Sequence, residues 1–177
     1  MRRYVLTGGP CCGKTTVLNI LAERGYPVLT ESAREIIEKE IGKESGVVPW
    51  KNLKKFNELV ARKQLWKEFF SIRRGVIFLD RGIIDGAGYS VLGGIETPKT
   101  IKWFGRGRYD KIFLLDPLPF YETDTSRIED ESFARRVREE IRKAYLGFGY
   151  EVISVPMLTP EERTEFILRR TIGSSSL

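Results

Sequence analysis

The sequence predicts an α/β fold in which helices cover both faces of a parallel sheet. Its short apolar runs are nearly continuous rather than alternating, which is typical of strands buried on both faces. The stretches between these runs place apolar residues at helical spacing. The length of 177 residues, 41% of them hydrophobic, suits a single domain over residues 1–177 with its own core. The fold class is therefore a three-layer α/β sandwich.

The elements follow one another as alternating strands and helices. Five strands are predicted, at residues 4–7, 27–30, 76–80, 111–116 and 151–155. Helices are predicted over 13–24, 50–73 and 132–148, and a last helix begins after Thr159 with Pro160 in its first position.

Composition excludes several classes of protein. The chain has no histidine, which excludes Ser-His-Asp and Cys-His hydrolases and His-ligated zinc sites. Its two cysteines, Cys11 and Cys12, are adjacent and predict neither a disulfide scaffold nor a zinc cluster. No apolar stretch reaches the ~20 residues of a membrane span, and no signal peptide is recognisable. We expect a reduced, cytoplasmic protein that does not enter a membrane.

The formal net charge of +6 is moderate. A basic surplus suits anionic small substrates such as nucleotides as well as nucleic acid, and no nucleic-acid-binding signature is present, so nucleic acid is not the expected main partner. Amide side chains are scarce, which together with abundant Lys, Arg and Glu indicates a thermophilic source. The full set is Asn19, Asn52, Asn57 and Gln64.

The segment after the first strand carries the chemistry. It fits the pattern G-x-x-x-x-G-K-[ST] of the phosphate-binding P-loop, between an apolar strand and an amphipathic helix. The predicted nucleotide-binding residues are Gly8, Gly9, Pro10, Cys11, Cys12, Gly13, Lys14, Thr15 and Thr16.

Each part of this motif has a physical reason. Glycines let the loop curl so that backbone N–H groups surround phosphates, and the positive end of the following helix adds to the field. Lys14 is expected to reach the β- and γ-phosphates, and the Thr15 hydroxyl to ligate Mg²⁺. The motif predicts a nucleoside triphosphate site. Cys11 and Cys12 are read as compact side chains that clear the phosphates, with a redox thiol as the alternative.

A second metal ligand is expected at the end of a strand. Asp80 ends the third predicted strand and Asp116 the fourth, and both fit an apolar run followed by aspartate. Asp80 is favoured because Arg81, Gly82 and Asp85 follow it at the carboxyl end of a strand, where open α/β sheets place their sites. Asp116 is read as part of a strand-ending turn.

Candidate acceptor residues follow the second strand. Glu31 is positioned to accept a proton from a substrate hydroxyl or to orient it, while an equally weighted interpretation places it in the first turn of a helix capped by Thr30. Arg34, on the same helix face, is a candidate for substrate contact or for pairing with Glu31. For the transition-state arginine of a closing segment we favour Arg127, with Arg135 second.

The chain resembles the AAA-type predicted ATPases related to the ribosylnicotinamide kinase domain and, more widely, to nucleoside and nucleotide kinases. The matching pieces lie in order along nearly the whole chain, and the first and third are the most specific. They are 8–16, 31–35, 78–82 with Asp85, 109–113, Asp124 with Arg127, and 149–152 before Pro156.

The resemblance implies a P-loop kinase fold with five parallel strands in the order 2-3-1-4-5 and a helical lid over residues ~118–148. It also implies that Asp80 lies in the metal or acceptor site, Arg81 near phosphate or acceptor, and Arg127 in the lid. Together with the residues above, it gives an expected substrate-binding set of Glu31, Arg34, Arg81 and Asp85.

The leading functional hypothesis is a small-molecule kinase that uses Mg²⁺ and ATP to phosphorylate a nucleoside-like hydroxyl acceptor, with Lys14, Asp80, Arg127 and Glu31 as its catalytic residues. A regulatory NTPase that acts through a protein partner is the alternative. A kinase of nucleic-acid 5′ ends is a third class, for which salt-sensitive binding to strands is expected.

Overall fold

The computed structural model describes residues 1–44, 46–71, 75–118 and 131–171. The described strands are β1 (Arg2–Thr7), β2 (Val28–Leu29), β3 (Val76–Asp80), β4 (Lys111–Leu115) and β5 (Val152–Val155). The described helices are α1 (Lys14–Glu23), α2 (Ser32–Glu40), α3 (Pro49–Phe70), α4 (Asp85–Leu92), α5 (Lys99–Phe104), α6 (Glu131–Gly147) and α7 (Pro160–Thr171).

The five strands form one parallel sheet in the order β2-β3-β1-β4-β5, which confirms the predicted fold class and strand order. Because all strands run the same way, the segments that follow them meet at one edge of the sheet. The phosphate loop follows β1, Glu31 lies two residues beyond β2, and Asp80 is the last residue of β3. This edge therefore brings the predicted site residues together.

Each strand contributes to two cores, one on each face of the sheet. Val5 and Ile112 face the core formed with α3, α4 and α6, whereas their neighbours Leu6 and Phe113 face the core formed with α1 and α7. Successive strand residues point to opposite faces, so burial of both faces requires an unbroken apolar run. This is the physical origin of the continuous runs in the sequence.

The predicted helices are present with shifted ends. The helix predicted from residue 50 has a kink at Asn52 (φ −153°, ψ 85°), and α3 ends at Phe70. At the start of α7, Thr159 and Glu162 form the expected reciprocal cap: the Glu162 N–H donates to Thr159 Oγ1 at 3.3 Å, and the Thr159 N–H donates to Glu162 Oε2 at 2.9 Å.

Helices α4 and α5 were not predicted. Gly86 and Gly88 lower the helix propensity of α4, but the second glycine serves packing, because a Cβ there would lie 2.8 Å from the backbone nitrogen of Ile141 in α6.

The interpretation of Thr30 as a cap is wrong. Helix α2 begins at Ser32, and the Thr30 hydroxyl donates instead to Glu35 Oε1 at 2.8 Å.

The segment predicted as a lid, residues ~118–148, is described only in part, since residues 119–130 lie outside the described ranges. Its C-terminal part is helix α6. Val137, Ile141 and Tyr145 of this helix are fully buried in the core against α4, so this part of the segment belongs to the body of the fold. In the part of the chain that the structure describes, no helix has the length and apolarity needed to cross a membrane.

Replacement of Ile167 by alanine tests the core between α1 and α7. Ile167 has no exposed surface and packs with Leu18 and Leu21. We expect Ile167→Ala to lower the free energy of unfolding by about 2–5 kcal/mol, because the site loses apolar burial and leaves a cavity. Urea denaturation followed by circular dichroism measures this change. A loss below about 0.5 kcal/mol would contradict the packing described here.

Candidate functional site

The phosphate loop joins β1 to α1 through an unusual backbone path. Gly8 (φ 149°), Cys11 (φ 53°) and Gly13 (φ 80°) all have positive φ, and Gly13 occupies the N-cap of α1. Glycine adopts such angles without steric cost, whereas Cys11 must be held there by its surroundings. Gly9 is also required by close packing, because a Cβ there would lie 2.9 Å from the carbonyl oxygen of Ala134 in α6.

The carbonyl groups of this loop are bonded to cationic side chains. Lys14 Nζ donates to the Gly9 carbonyl at 2.8 Å and lies 3.3 Å from Cys12 Sγ. Arg81 Nη1 donates to the Gly8 carbonyl at 3.1 Å. Arg163 Nη1 donates to the Cys12 carbonyl at 2.7 Å. Three positive charges therefore surround the loop, an arrangement suited to a polyphosphate.

The metal position is best supported at Asp80. Its side chain is 8% exposed, and its Oδ1 is buried without a hydrogen-bond partner among the described residues. Burial, together with the nearby Glu31 carboxylate, raises the pKa of Asp80 above its ordinary value. Thr15 is exposed in the first turn of α1. A carboxylate oxygen without a partner and a hydroxyl are donor types that suit Mg²⁺ bound together with substrate phosphates.

The alternative carboxylate is already paired. Asp116 Oδ1 forms an ion pair with Arg138 Nη2, and the backbone carbonyl of Asp116 accepts from Arg163 Nη2 at 3.1 Å. Removing this carboxylate from its ion pair would work against metal binding. The geometry therefore favours Asp80 over Asp116.

Glu31 and Arg81 form an ion pair between the segments that follow β2 and β3. Arg81 Nε donates to Glu31 Oε1 at 2.8 Å, and both side chains are largely buried. Burial raises the pKa of Glu31, but the charges of Arg81 and Lys14 oppose this effect, and the net shift is downward. Glu31 is therefore ionised at neutral pH, and in this form both of its oxygens can only accept hydrogen bonds.

Asp85 is turned into the protein. Its Oδ2 accepts from Thr7 Oγ1 at 2.6 Å and from Arg81 Nη1 at 2.9 Å. Its Oδ1 accepts from Tyr145 OH at 2.7 Å and from the Gly82 N–H at 3.4 Å. With these four donors Asp85 orients Arg81, and this geometry suits a positioning role better than the direct substrate contact expected from the sequence.

The remaining predicted site residues are Arg34, the two cysteines, Arg127 and Arg135. Arg34 is exposed and lines the open groove above the phosphate loop, and it forms no ion pair with Glu31 in the described parts of the chain. Cys11 is exposed and Cys12 is buried. That they serve as compact side chains, with a redox thiol as the alternative, stays a prediction. Arg127 lies outside the described residues, whereas Arg135 is on α6 and lines a shallow groove beside Asp116.

A cavity of about 240 Å³ opens beside Glu31 and Arg81. It lies between α2, α3 and the segment from β3 into α4, and it is distinct from the open groove of about 1020 Å³ over the phosphate loop. Glu31 and Arg81 line both. The cavity is lined by Glu31, Ser32, Ala33, Ile37, Pro49, Leu53, Phe56, Asn57, Val60, Gln64, Arg81, Gly82, Asp85, Gly86 and Tyr89.

Sequence reasoning missed two residues that shape the site. Arg163 looks like one of many basic residues on a helix, and its burial follows from packing that no local pattern records. Gln64 accepts from Ser32 Oγ at 2.6 Å and donates to the Arg81 carbonyl at 3.3 Å, so it connects α3 to both sides of the cavity. The scarcity of amides was the available signal for Gln64, since three of the four amides in the chain lie in α3.

Comparisons with known proteins agree with this architecture. The sequence pattern of the AAA domain family matches residues 3–163, and the chain belongs to that family. No curated protein matches the chain. Its fold is that of P-loop kinases.

Three solved structures illustrate the likeness. The NadR protein in complex with NR has a TM-score of 0.74 at 22% identity, covering 97% of this chain and 52% of NadR, so this chain spans about half of that protein. Deoxyadenosine kinase from M. mycoides has a TM-score of 0.65 at 14% identity, covering 98% of this chain and 100% of that one. Shikimate kinase from Aquifex aeolicus has a TM-score of 0.54 at 22% identity, with 98% of each chain covered.

Replacement of Asp80 by asparagine tests the electrostatics of this carboxylate. Because the pKa of Asp80 is raised in the folded state, a penalty on folding develops as the pH rises from the unfolded pKa to the folded pKa and is fully present above it. The penalty vanishes in acid, where Asp80 is protonated in both states. We expect Asp80→Asn to raise the melting temperature of the ligand-free protein by a few degrees at pH 7. The difference should shrink as the pH falls toward 3.

Thermal unfolding in matched buffers between pH 3 and pH 8 measures this difference. Asp110→Asn is the control, since Asp110 is an exposed carboxylate that accepts from the Arg3 N–H at 2.7 Å, far from the phosphate loop. If Asp80→Asn is instead destabilised at neutral pH, the prediction is wrong, because the folded protein then stabilises the ionised Asp80 carboxylate.

Proposed function

We propose that the protein transfers the γ-phosphoryl group of ATP, with Mg²⁺, to a hydroxyl group of a small nucleoside-like acceptor. The observation that carries this proposal is the position of the 240 Å³ cavity, which shares Glu31 and Arg81 with the groove over the phosphate loop. Arg81 bonds both to the Gly8 carbonyl of that loop and to Glu31. An acceptor in the cavity would therefore lie next to a nucleotide on the loop.

The residues around the loop supply charge and orientation. The backbone N–H groups of the loop and Lys14 would bind the β- and γ-phosphates. Thr15 and Asp80 would hold Mg²⁺, which neutralises charge that develops on the phosphate oxygens. Glu31, ionised and held by Arg81, would accept the hydrogen of the attacking hydroxyl. Phosphoryl transfer passes through a loose transition state, so orientation of this hydroxyl matters more than its early deprotonation.

The cavity favours an acceptor without negative charge. Three charged side chains line it, the carboxylates of Glu31 and Asp85 and the guanidinium of Arg81. Arg81 is bonded to both carboxylates, so the walls carry a net negative charge. An anionic acceptor would be repelled, whereas a neutral or cationic one would not.

The deeper walls favour a ring that carries a hydrogen-bond donor. Leu53, Phe56 and Val60 supply apolar surface. Asn57 is buried and donates through Nδ2 to Ser90 Oγ at 3.2 Å and to the Gly86 carbonyl at 3.3 Å. Its Oδ1 is thereby left to accept from a ligand N–H or O–H. An apolar wall with one fixed acceptor suits a heterocyclic base or a comparable ring.

Arginine from a closing segment would complete the site. We propose Arg127 for this role, as the sequence suggests, and the transition state would gain a further cation when the segment closes over the nucleotide. Arg135, which lies on α6 near the phosphate loop, is the second candidate for the same role.

The solved structures that share this fold include proteins named for the phosphorylation of small molecules, and several of their complexes contain nucleotides by name. This supports a kinase over other uses of the loop. The named acceptors differ from one relative to the next, and the charge and size of the cavity argue for the nucleoside-like class over a carboxylic acid such as shikimate.

A regulatory NTPase is the second candidate, and one observation favours it. Trp66, Phe69 and Phe70 are about two-thirds exposed near the end of α3, with ring centroids of neighbouring pairs 4.8 and 5.1 Å apart. Exposed aromatic groups of this kind occur at protein interfaces. A kinase of nucleic-acid 5′ ends has only the moderate positive charge in its favour.

Acceptor-dependent release of ADP from Mg-ATP tests the proposal. We expect one neutral nucleoside in a panel that also contains ribosylnicotinamide, short sugars and shikimate to raise the rate at least tenfold, with phosphate found on that acceptor. Lys14→Ala should reduce this rate by about 10²-fold or more while the melting temperature stays near that of the wild type. A slow rate independent of every acceptor would favour the regulatory NTPase, and turnover in clean Lys14→Ala protein would overturn the assignment of the loop.

Replacement of Glu31 by glutamine separates transfer from nucleotide binding. We expect Glu31→Gln to lower kcat for the preferred acceptor by about 10²-fold while the Kd for ADP changes little, because Glu31 faces the acceptor hydroxyl. Single-turnover transfer and ADP titration measure the two quantities. Glu23→Gln, an exposed residue at the end of α1 that lines neither the cavity nor the groove, is the control. An equal loss of nucleotide affinity would place Glu31 in the nucleotide site.

A further inference from the structure

Arg163 bonds to the phosphate loop but does not line the groove over that loop. It is in the first turn of α7 and is only 1% exposed. Its guanidinium donates to three backbone carbonyls: Nη1 to Cys12 at 2.7 Å, Nη2 to Asp116 at 3.1 Å and Nε to Pro156 at 3.0 Å. These carbonyls belong to the phosphate loop, to the segment after β4 and to the segment after β5.

This burial is energetically demanding. In the described parts of the chain no carboxylate lies within ion-pair distance of Arg163, and the nearby Asp116 carboxylate is paired with Arg138. Burial lowers the pKa of Arg163 for the same reason. A buried guanidinium without a carboxylate partner is unfavourable unless its hydrogen bonds are strong and numerous. Three bonds to carbonyls from three segments meet that requirement.

The need for such a group follows from the shape of the loop. Where backbone N–H groups are to point toward phosphates, some carbonyls must point back into the protein. The Cys12 carbonyl lies just before the first carbonyl used by α1, that of Gly13, which accepts from the Val17 N–H at 3.3 Å. The Cys12 carbonyl would otherwise be a buried acceptor without a donor. Arg163 donates to this carbonyl, and its Nη1 lies 3.6 Å from the position that a Cβ added to Gly13 would occupy.

We propose that Arg163 is a positioning residue that holds the phosphate loop in its binding shape by joining the Cys12 carbonyl to the ends of β4 and β5. Lys14 acts on the ligand side of the loop, and Arg163 acts on the opposite side without touching the ligand. The consequence for nucleotide affinity rests on the proposed function, whereas the consequence for the shape of the loop does not.

The two cysteines of the loop provide a direct readout of its shape. Cys11 is exposed and Cys12 is buried. In a Cys11→Ser background, labelling by an aromatic disulfide reagent reports the exposure of Cys12 alone. We expect Arg163→Met to speed this labelling at least tenfold, since loss of a charged hydrogen bond is worth about 1.5–3 kcal/mol. Arg169→Met, an exposed residue of the same helix, should leave the rate unchanged.

A core variant away from Cys12 separates positioning from general destabilisation. Ile101→Ala, a fully buried residue of the core on the other face of the sheet, weakens the fold outside the cluster that contains Cys12. Equal acceleration of labelling in Ile101→Ala and Arg163→Met would overturn the proposal, as would no acceleration in Arg163→Met. If Arg163→Met does not fold, Arg163→Lys, which keeps the charge but cannot reach three carbonyls, is compared with Ile101→Ala by the same criterion.

Nucleotide binding gives the second readout. With the native cysteines present, we expect Arg163→Met to raise the Kd for ADP about tenfold and the KM for ATP to a similar extent, with a smaller change in kcat, and Arg163→Lys to recover part of the affinity. Unchanged ADP affinity in a folded Arg163→Met would contradict the proposal. If the wild-type protein binds no nucleotide at all, the proposed function fails, and the labelling of Cys12 still decides whether Arg163 holds the loop.

Discussion

The guanidinium of Arg81 is the interaction on which the arrangement of the site depends. It bonds to the Gly8 carbonyl of the phosphate loop, to Glu31 after β2 and to Asp85 at the start of α4. Three segments that are distant in sequence therefore share one planar group with fixed hydrogen-bond directions. Without this cation, two largely buried carboxylates would lie near one another and lose the positive charge that bonds to both of them. Arg81 thus sets both the spacing and the charge balance between the nucleotide and acceptor sides.

The same interaction extends into the core. Asp85, which holds Arg81, also accepts from Thr7 of β1 and from Tyr145 of α6. Burial and the Asp85 carboxylate raise the pKa of Tyr145 well above its ordinary value, so this hydroxyl remains a donor throughout the physiological range. The position of α6 is therefore linked through two hydrogen bonds to the orientation of an arginine in the site. Contact between Ala134 and Gly9 joins α6 to the phosphate loop at a second point.

The sequence was informative where the determinants of structure are local. Continuous apolar runs predicted all five strands, and the glycine spacing with Lys14 and Thr15 predicted the loop, because both signals lie within a few residues. Helix α4 escaped prediction because its two glycines are explained by distant neighbours: a Cβ on Gly88 would meet Ile141 of α6, and a Cβ on Gly86 would meet Ile101 of α5. The roles of Asp85 and Arg163 were hidden for the same reason. Both are defined by partners in other elements, and a lone charged residue in a sequence does not reveal whether it faces a ligand, the solvent or a backbone carbonyl.

Two of the residues around the phosphate loop have a backbone conformation that opposes their own side chains. Cys11 (φ 53°) and Arg81 (φ 66°) are the non-glycine residues with positive φ in the described parts of the chain. Such a conformation costs an L-residue about 1–2 kcal/mol relative to the right-handed region, and glycine would avoid that cost. For Arg81 the compensation is visible in its three bonded partners. Glycine at residue 81 would relieve this backbone cost but would remove the cation between two buried carboxylates, so the strained backbone here accompanies the fixed direction of a single side chain.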